Sequence, residues 1–233
     1  MTQRSINLQI IITAFLLAFI LFIFQYSNID IKVQEYFYNF STQEWLWSRK
    51  EPVSKLLLYT GLKKTLIVFA LAVLFTLILF WKKQFVQKYK AGMIIIVLSS
   101  IIVPSTVISL KNETNTPCPK NIEHFNGKYP DIKVFDSYPK DFKQEGKIRC
   151  WPAGHASAGF ALMSLFFFFK KRKNQIIALL FALSIGWIMG SYKMLIGDHF
   201  LSHTIITMLI AWFEILIIAK FTQRRAVAKP TQI

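Results

Sequence analysis

The chain has 233 residues, is 54% hydrophobic with 22 phenylalanines and has a positive mean hydropathy of +0.40, which is too apolar for a soluble domain of this length. Its net charge of +16 is therefore read in a membrane setting, where basic residues set topology and each one near the surface attracts anionic headgroups by about 1 kcal/mol. A nucleic-acid partner is not expected; the lipid bilayer is.

Apolar runs of about 17 to 25 residues, the length that crosses a hydrocarbon core of about 30 Å, fall at 6–26, 65–81, 91–110, 153–169, 176–194 and 200–219. The expected fold is all-α: one polytopic domain over 1–233 with six transmembrane helices. The first run is read as a retained helix, because no small-residue cleavage site follows its long apolar core. The fifth is the weakest, diluted by Ser184, Ser191 and Lys193.

Lys82, Lys83, Lys88 and Lys90 follow the second run, Lys170, Lys171, Arg172 and Lys173 follow the fourth, and Lys220, Arg224, Arg225 and Lys229 follow the sixth. No acidic residue lies among them, so the positive-inside rule places all three groups, and both termini, in the cytoplasm. The stretches 27–64 and 111–152 mix acidic with basic residues and are expected to be extracytoplasmic loops. Trp45, Trp47, Trp81, Trp151 and Trp212 are expected at headgroup depth, and the aromatic stretch 36–40 either in the interface or against the outer ends of the helices. Gly154, Ala158, Gly159, Gly186 and Gly190 have the spacing that lets membrane helices approach closely.

With that topology Lys111 ends the third span, His155 begins the fourth, Lys193 ends the fifth and His199 begins the sixth, all on the outer face. Ionisable groups at such places are usually functional, and His155, His199 and His203 are three of the four histidines in the chain. The fourth, His124, is expected to be solvated. Lysines beside the starts of two helices, whose first N–H groups lack intrahelical acceptors, suit a phosphoryl group with charge on its oxygens. Alone, Lys111 and Lys193 could be snorkelling helix-end residues.

The segment Lys111-x6-Cys118-Pro119, then Pro152-Ala153-Gly154-His155, then Lys193-x5-His199-x3-His203 resembles the type 2 phosphatidic acid phosphatase superfamily. Its motifs read Lys-x6-Arg-Pro, Pro-Ser-Gly-His and Ser-Arg-x5-His-x3-Asp. The resemblance implies that His199 is the nucleophile that accepts the phosphoryl group and that His155 protonates the leaving oxygen. Lys111, Lys193 and the Gly154 N–H would hold phosphate oxygens.

The chain departs from that pattern at five positions: Cys118 for Arg, Ala153 for Ser, Tyr192 for Ser, Lys193 for Arg and His203 for Asp. Cys118 brings no charge, Lys193 lacks the planar fork that binds two oxygens, and Ala153 lacks a hydroxyl. A neutral His203 would orient His199 without balancing its charge. Lys147 and Arg149 are placed to restore charge, and Asp198 is read as the N-cap of the last span. The i, i+4 pair His199 and His203, with His155 and Asp198, also has metal-ligand spacing; the favoured reading has no metal and no cofactor. Cys118 and Cys150, the only cysteines, share an outer loop, which predicts a disulfide that brings Lys111 toward His155.

The expected function is metal-independent hydrolysis of a membrane lipid phosphate or pyrophosphate in the outer leaflet through a phosphohistidine. Lipid A is preferred, and undecaprenyl pyrophosphate and phosphatidylglycerol phosphate are the alternatives. The expected location is a bacterial inner membrane with the site facing the periplasm. A lipid phosphotransferase and a non-catalytic headgroup-binding or transport protein are the rival classes. Oligomeric state is not legible.

Overall fold

The computed structural model describes residues 1–227; Lys229 lies outside them. Among the described residues the helices are α1 Gln3–Tyr26, α2 Ile29–Glu35, α3 Pro52–Ser54, α4 Leu62–Leu79, α5 Gln84–Glu113, α6 Gly154–Ala161, α7 Arg172–Leu195 and α8 Leu201–Val227. A two-stranded antiparallel hairpin, β1 Tyr38–Asn39 and β2 Glu44–Trp45, lies between α2 and α3. A π-helical turn, Lys55–Gly61, joins α3 to α4, so helix already begins at Pro52, inside the 27–64 stretch expected as loop.

Among the described residues five helical stretches are long and apolar enough to cross a membrane: Gln3–Tyr26, Pro52–Leu79, Gln84–Glu113, Arg172–Leu195 and Leu201–Gln223. The weak fifth run is a full 24-residue helix, α7, in which the Ser184 hydroxyl donates back to the Leu180 carbonyl. The fourth run is the one that falls short of the six expected spans. Gly154–Phe167 is a shorter apolar helix that tightens at Leu162 into a 3-10 run ending at Phe167. That winding rises about 2.0 Å per residue against about 1.5 Å in an α-helix, and the run is fixed by Phe166 and Phe167 packing their rings on Trp212 of α8.

α8 is the axis of the bundle and packs against α1, α5 and α6, while α7 packs on α6. The α6–α7 crossing is close because Gly159 and Gly186 face each other; a Cβ on Gly159 would stand 2.8 Å from the Gly186 Cα. The buried core collects Ile95 and Val103 of α5, Phe160 of α6, Ala182 of α7 and Ile215 of α8. Ile11, Phe15 and Phe22 on α1 and Val68, Phe75 and Ile78 on α4 are exposed, as side chains solvated by lipid tails would be. Trp151, expected at headgroup depth, is instead buried with Val107, Ile206 and Ile210.

Candidate active site

Lys111 in the last turn of α5, His155 in the first turn of α6, Lys193 in the last turn of α7 and His199 just before α8 converge on one cavity of about 360 Å³. Arg49, Cys118, Lys120, Tyr192, Ile196 and Asp198 complete its wall. Gly154 sits on the Lys111 side, with the Lys111 Nζ 3.9 Å from where a Gly154 Cβ would be. Behind Ala153 the start of α6 has no side-chain cap, and the Ala153 N–H itself donates to Thr207 Oγ1 at 2.9 Å. The next backbone N–H groups of α6 therefore begin the helix at the cavity without a side-chain acceptor of their own.

His199 and His203 are both buried, one turn apart, and their Nδ1 atoms lie 3.3 Å from each other. One ring must donate and the other accept across that contact. Burial first, then the neighbouring His203 and the Lys111, His155 and Lys193 charges, hold the His199 pKa well below the usual imidazole range, so the ring is neutral at pH 7. A neutral imidazole is the nucleophilic form.

Cys118 and Cys150 are joined by a disulfide with Cα atoms 5.2 Å apart. It brackets the site: Cys150 Sγ lies 3.7 Å from His199 Nδ1, while the next turn after Cys118 carries Lys120. Cys150, His199 and His203 form a tight group of metal-type donors, but the sulfur is spent in the disulfide and offers no thiolate. His155 and Asp198 do not complete that group, so the four-residue metal set read from the spacing is not assembled.

Two expectations are corrected here. Lys147 and Arg149 do not reach the cavity; Lys147 donates to the carbonyls of Asn112 and Glu113 and Arg149 to the Asn112 side chain. The cations that join Lys111 and Lys193 are instead Arg49 and Lys120. Asp198 is not the cap of α8: its carboxylate pairs with Arg49, with Lys120 at 2.8 Å and with Lys193 at 3.0 Å. The cap comes from Asp30 on α2, which accepts from the Ser202 N–H at 2.9 Å and from the Ser202 hydroxyl.

The loop that carries Arg49 is pinned to the α7–α8 turn. Gly197 has φ +71 and no room for a Cβ, because the Trp45 ring lies on it. The Trp47 N–H donates to the Leu195 carbonyl, its indole donates to Ser54, and Glu51 accepts from the N–H groups that start α3. Tyr38, in the aromatic stretch, is buried with Phe125, Ile122 and Phe200, which ties the 27–64 and 111–152 stretches together, while Tyr36 and Phe40 are exposed. His124 pairs with Glu35 at 2.8 Å instead of standing alone. None of Arg49, Lys120 and Asp30 belongs to a recognisable motif, and no sequence signal singles them out.

A bundle that gathers two histidines, four cations and an uncapped helix start at one end of its apolar helices defines a membrane-embedded phosphatase. Residues 91–226 match the PAP2 superfamily, more than half of the chain, and the protein belongs to it: it is an enzyme of the type 2 phosphatidic acid phosphatase kind. It is similar to the lipid A 4'-phosphatase of Francisella tularensis subsp. novicida (strain U112), with 26% identity over 196 residues that cover 79% of this chain and 82% of that protein. No solved structure matches it.

Proposed function

We propose that the protein hydrolyses a phosphate from a lipid of the outer leaflet of a bacterial inner membrane, without a metal, through a phosphohistidine on His199. The observation that carries this reading is the His199–His203 contact through Nδ1, which leaves Nε2 as the attacking nitrogen. His199 Nε2 bonds to phosphorus as the ester oxygen departs, and His155, on the same cavity, gives that oxygen its proton. His155 then takes a proton from the water that cleaves the P–N bond. His203 stands where the family has a carboxylate: its Nδ1 accepts from His199 Nδ1–H and shares the positive charge of the phosphorylated ring. Lys111, Lys193, Arg49, Lys120 and the Gly154 N–H neutralise the phosphate oxygens.

A lipid substrate is supported by a second, apolar cavity of about 320 Å³ between α4, α5 and α6, lined among others by Lys63, Leu66, Leu71, Pro104 and Leu162. Lipid A is the preferred substrate because the similar Francisella protein bears that name; undecaprenyl pyrophosphate and phosphatidylglycerol phosphate are the alternatives. The test is phosphate release in detergent with EDTA from lipid A, undecaprenyl pyrophosphate and phosphatidic acid, for wild type and His199→Ala. Release from lipid A that disappears in the variant is expected. Release that survives in the variant, or that EDTA abolishes, refutes the phosphohistidine.

A further inference from the structure

The cavity holds four cationic side chains, Arg49, Lys111, Lys120 and Lys193, and one carboxylate, Asp198. That carboxylate is fully engaged: Oδ1 takes Arg49 and Lys120, and Oδ2 takes Lys193. It is also held from behind, since the Asp198 N–H donates to the Lys193 carbonyl at 2.8 Å and the Lys120 N–H to the Gly197 carbonyl at 3.0 Å. One carboxylate cannot neutralise four cations. Consistent with that surplus, burial followed by the Arg49 and Lys111 charges lowers the Lys120 pKa to about 8.

A phosphate monoester dianion brings more charge than a carboxylate, and more oxygens to share among the same donors. We propose that Asp198 is an internal counter-ion that holds Arg49, Lys120 and Lys193 in place until the substrate phosphate displaces it, and that Arg49 and Lys120 bind that phosphate. They thereby supply, from two outer loops, the charge that the family carries as an arginine at the position of Cys118. This rests on the reading of the cavity as the phosphate site.

On this account Asp198 competes with the ligand. Its removal tightens phosphate binding and slows product release, whereas loss of Arg49 weakens binding. A purely structural Asp198 behaves otherwise: its carboxylate only ties Arg49, Lys120 and Lys193 together, and its loss lets them move apart and leaves phosphate binding unchanged or weaker.

The experiment is calorimetric titration of the full-length protein in detergent with inorganic phosphate, alongside turnover. Asp198→Asn is expected to bind phosphate roughly tenfold more tightly than wild type and Arg49→Ala roughly tenfold more weakly. Arg49→Lys should recover part of the loss, and Asp198→Ala, a second carboxylate-free variant, should tighten as Asp198→Asn does. Lys147→Ala, outside the cavity, should match wild type. Phosphate affinity unchanged or weakened in both Asp198 variants, or unchanged in Arg49→Ala, overturns the proposal, as does a wild type that binds no phosphate. Wild-type turnover separates the two readings: the phosphate shifts appearing in the Asp198 and Arg49 variants while wild type hydrolyses no lipid phosphate removes the proposed hydrolysis and leaves the counter-ion in place.

Discussion

Two helices begin beside a histidine of the site, and they begin differently. α8 is capped from outside, by Asp30 on α2 bonded to the Ser202 N–H and hydroxyl. α6 starts behind Ala153 with no side-chain cap. A capped N-terminus has spent its donors and much of its affinity for an anion, whereas an uncapped one retains both. On the proposed function the contrast gives the two starts different tasks: α8 would hold the His199–His203 pair in place, and α6 would present backbone donors and His155 to the phosphate.

Substitution of the histidines breaks this division most severely. His199→Ala is expected to lower kcat by about 10⁴-fold or more, because no other group takes the phosphoryl. His155→Ala should cost roughly 10² to 10⁴-fold on a lipid phosphate, the usual worth of a general acid, and much less on an aryl phosphate whose leaving group needs no proton. Equal losses on both substrates would move His155 from proton transfer to binding. Next in size is the disulfide. Reduction, or Cys118→Ser, opens a cross-link spanning 32 residues and is expected to lower stability by roughly 3 to 4 kcal/mol on the chain-entropy view, read from thermal unfolding in detergent. Activity should fall with it, since the same link places Lys120 opposite Asp198.

Asp30 tests the capped start alone. Asp30→Ala should cost about 1 kcal/mol of stability, with kcat reduced less than in either histidine variant. Burial, only partly offset by the Ser202 hydrogen bonds, raises the Asp30 pKa from 3.8 to about 6. A carboxyl raised in the folded state binds its proton more tightly there than in the unfolded chain. Its contribution is therefore most favourable below pH 3.8 and is lost as pH rises to about 6, by no more than about 3 kcal/mol. Thermal midpoints across that window should slope downward in wild type and flatten in Asp30→Asn.

What the sequence disclosed was whatever repeats along the chain or clusters at a helix end. Apolar run length located α1, α5, α7 and α8, and the Lys111, His155, Lys193 and His199 positions follow from where the runs stop. The length of α6 was not legible, because its 3-10 ending depends on Phe166 and Phe167 meeting Trp212 from another helix. Arg49, Lys120 and Asp30 were illegible for the same reason: each acts on a residue tens of positions or more away, 149 for Arg49 and Asp198, and no local pattern records such a pairing. Asp198 shows the hazard in reverse. Its position beside the start of α8 suggested a cap, yet three cations from separate elements claim its carboxylate.

The smallest effect is the most direct test of the open start. Ala153 is buried at the N-cap of α6, and Ala153→Ser adds one hydroxyl with two competing uses. Turned inward it would accept from an α6 N–H and stabilise the helix by about 0.5 to 1 kcal/mol. Turned to the cavity it would donate to a phosphate oxygen and raise kcat/KM, by about fivefold for one added donor. Because Lys111 and the uncapped N–H groups already make this a place for an anion, the second outcome is expected: kcat/KM rises while the thermal midpoint hardly moves. A midpoint that rises with kcat/KM unchanged would mean that α6 lacks only a cap, and the distinction between the two helix starts would collapse.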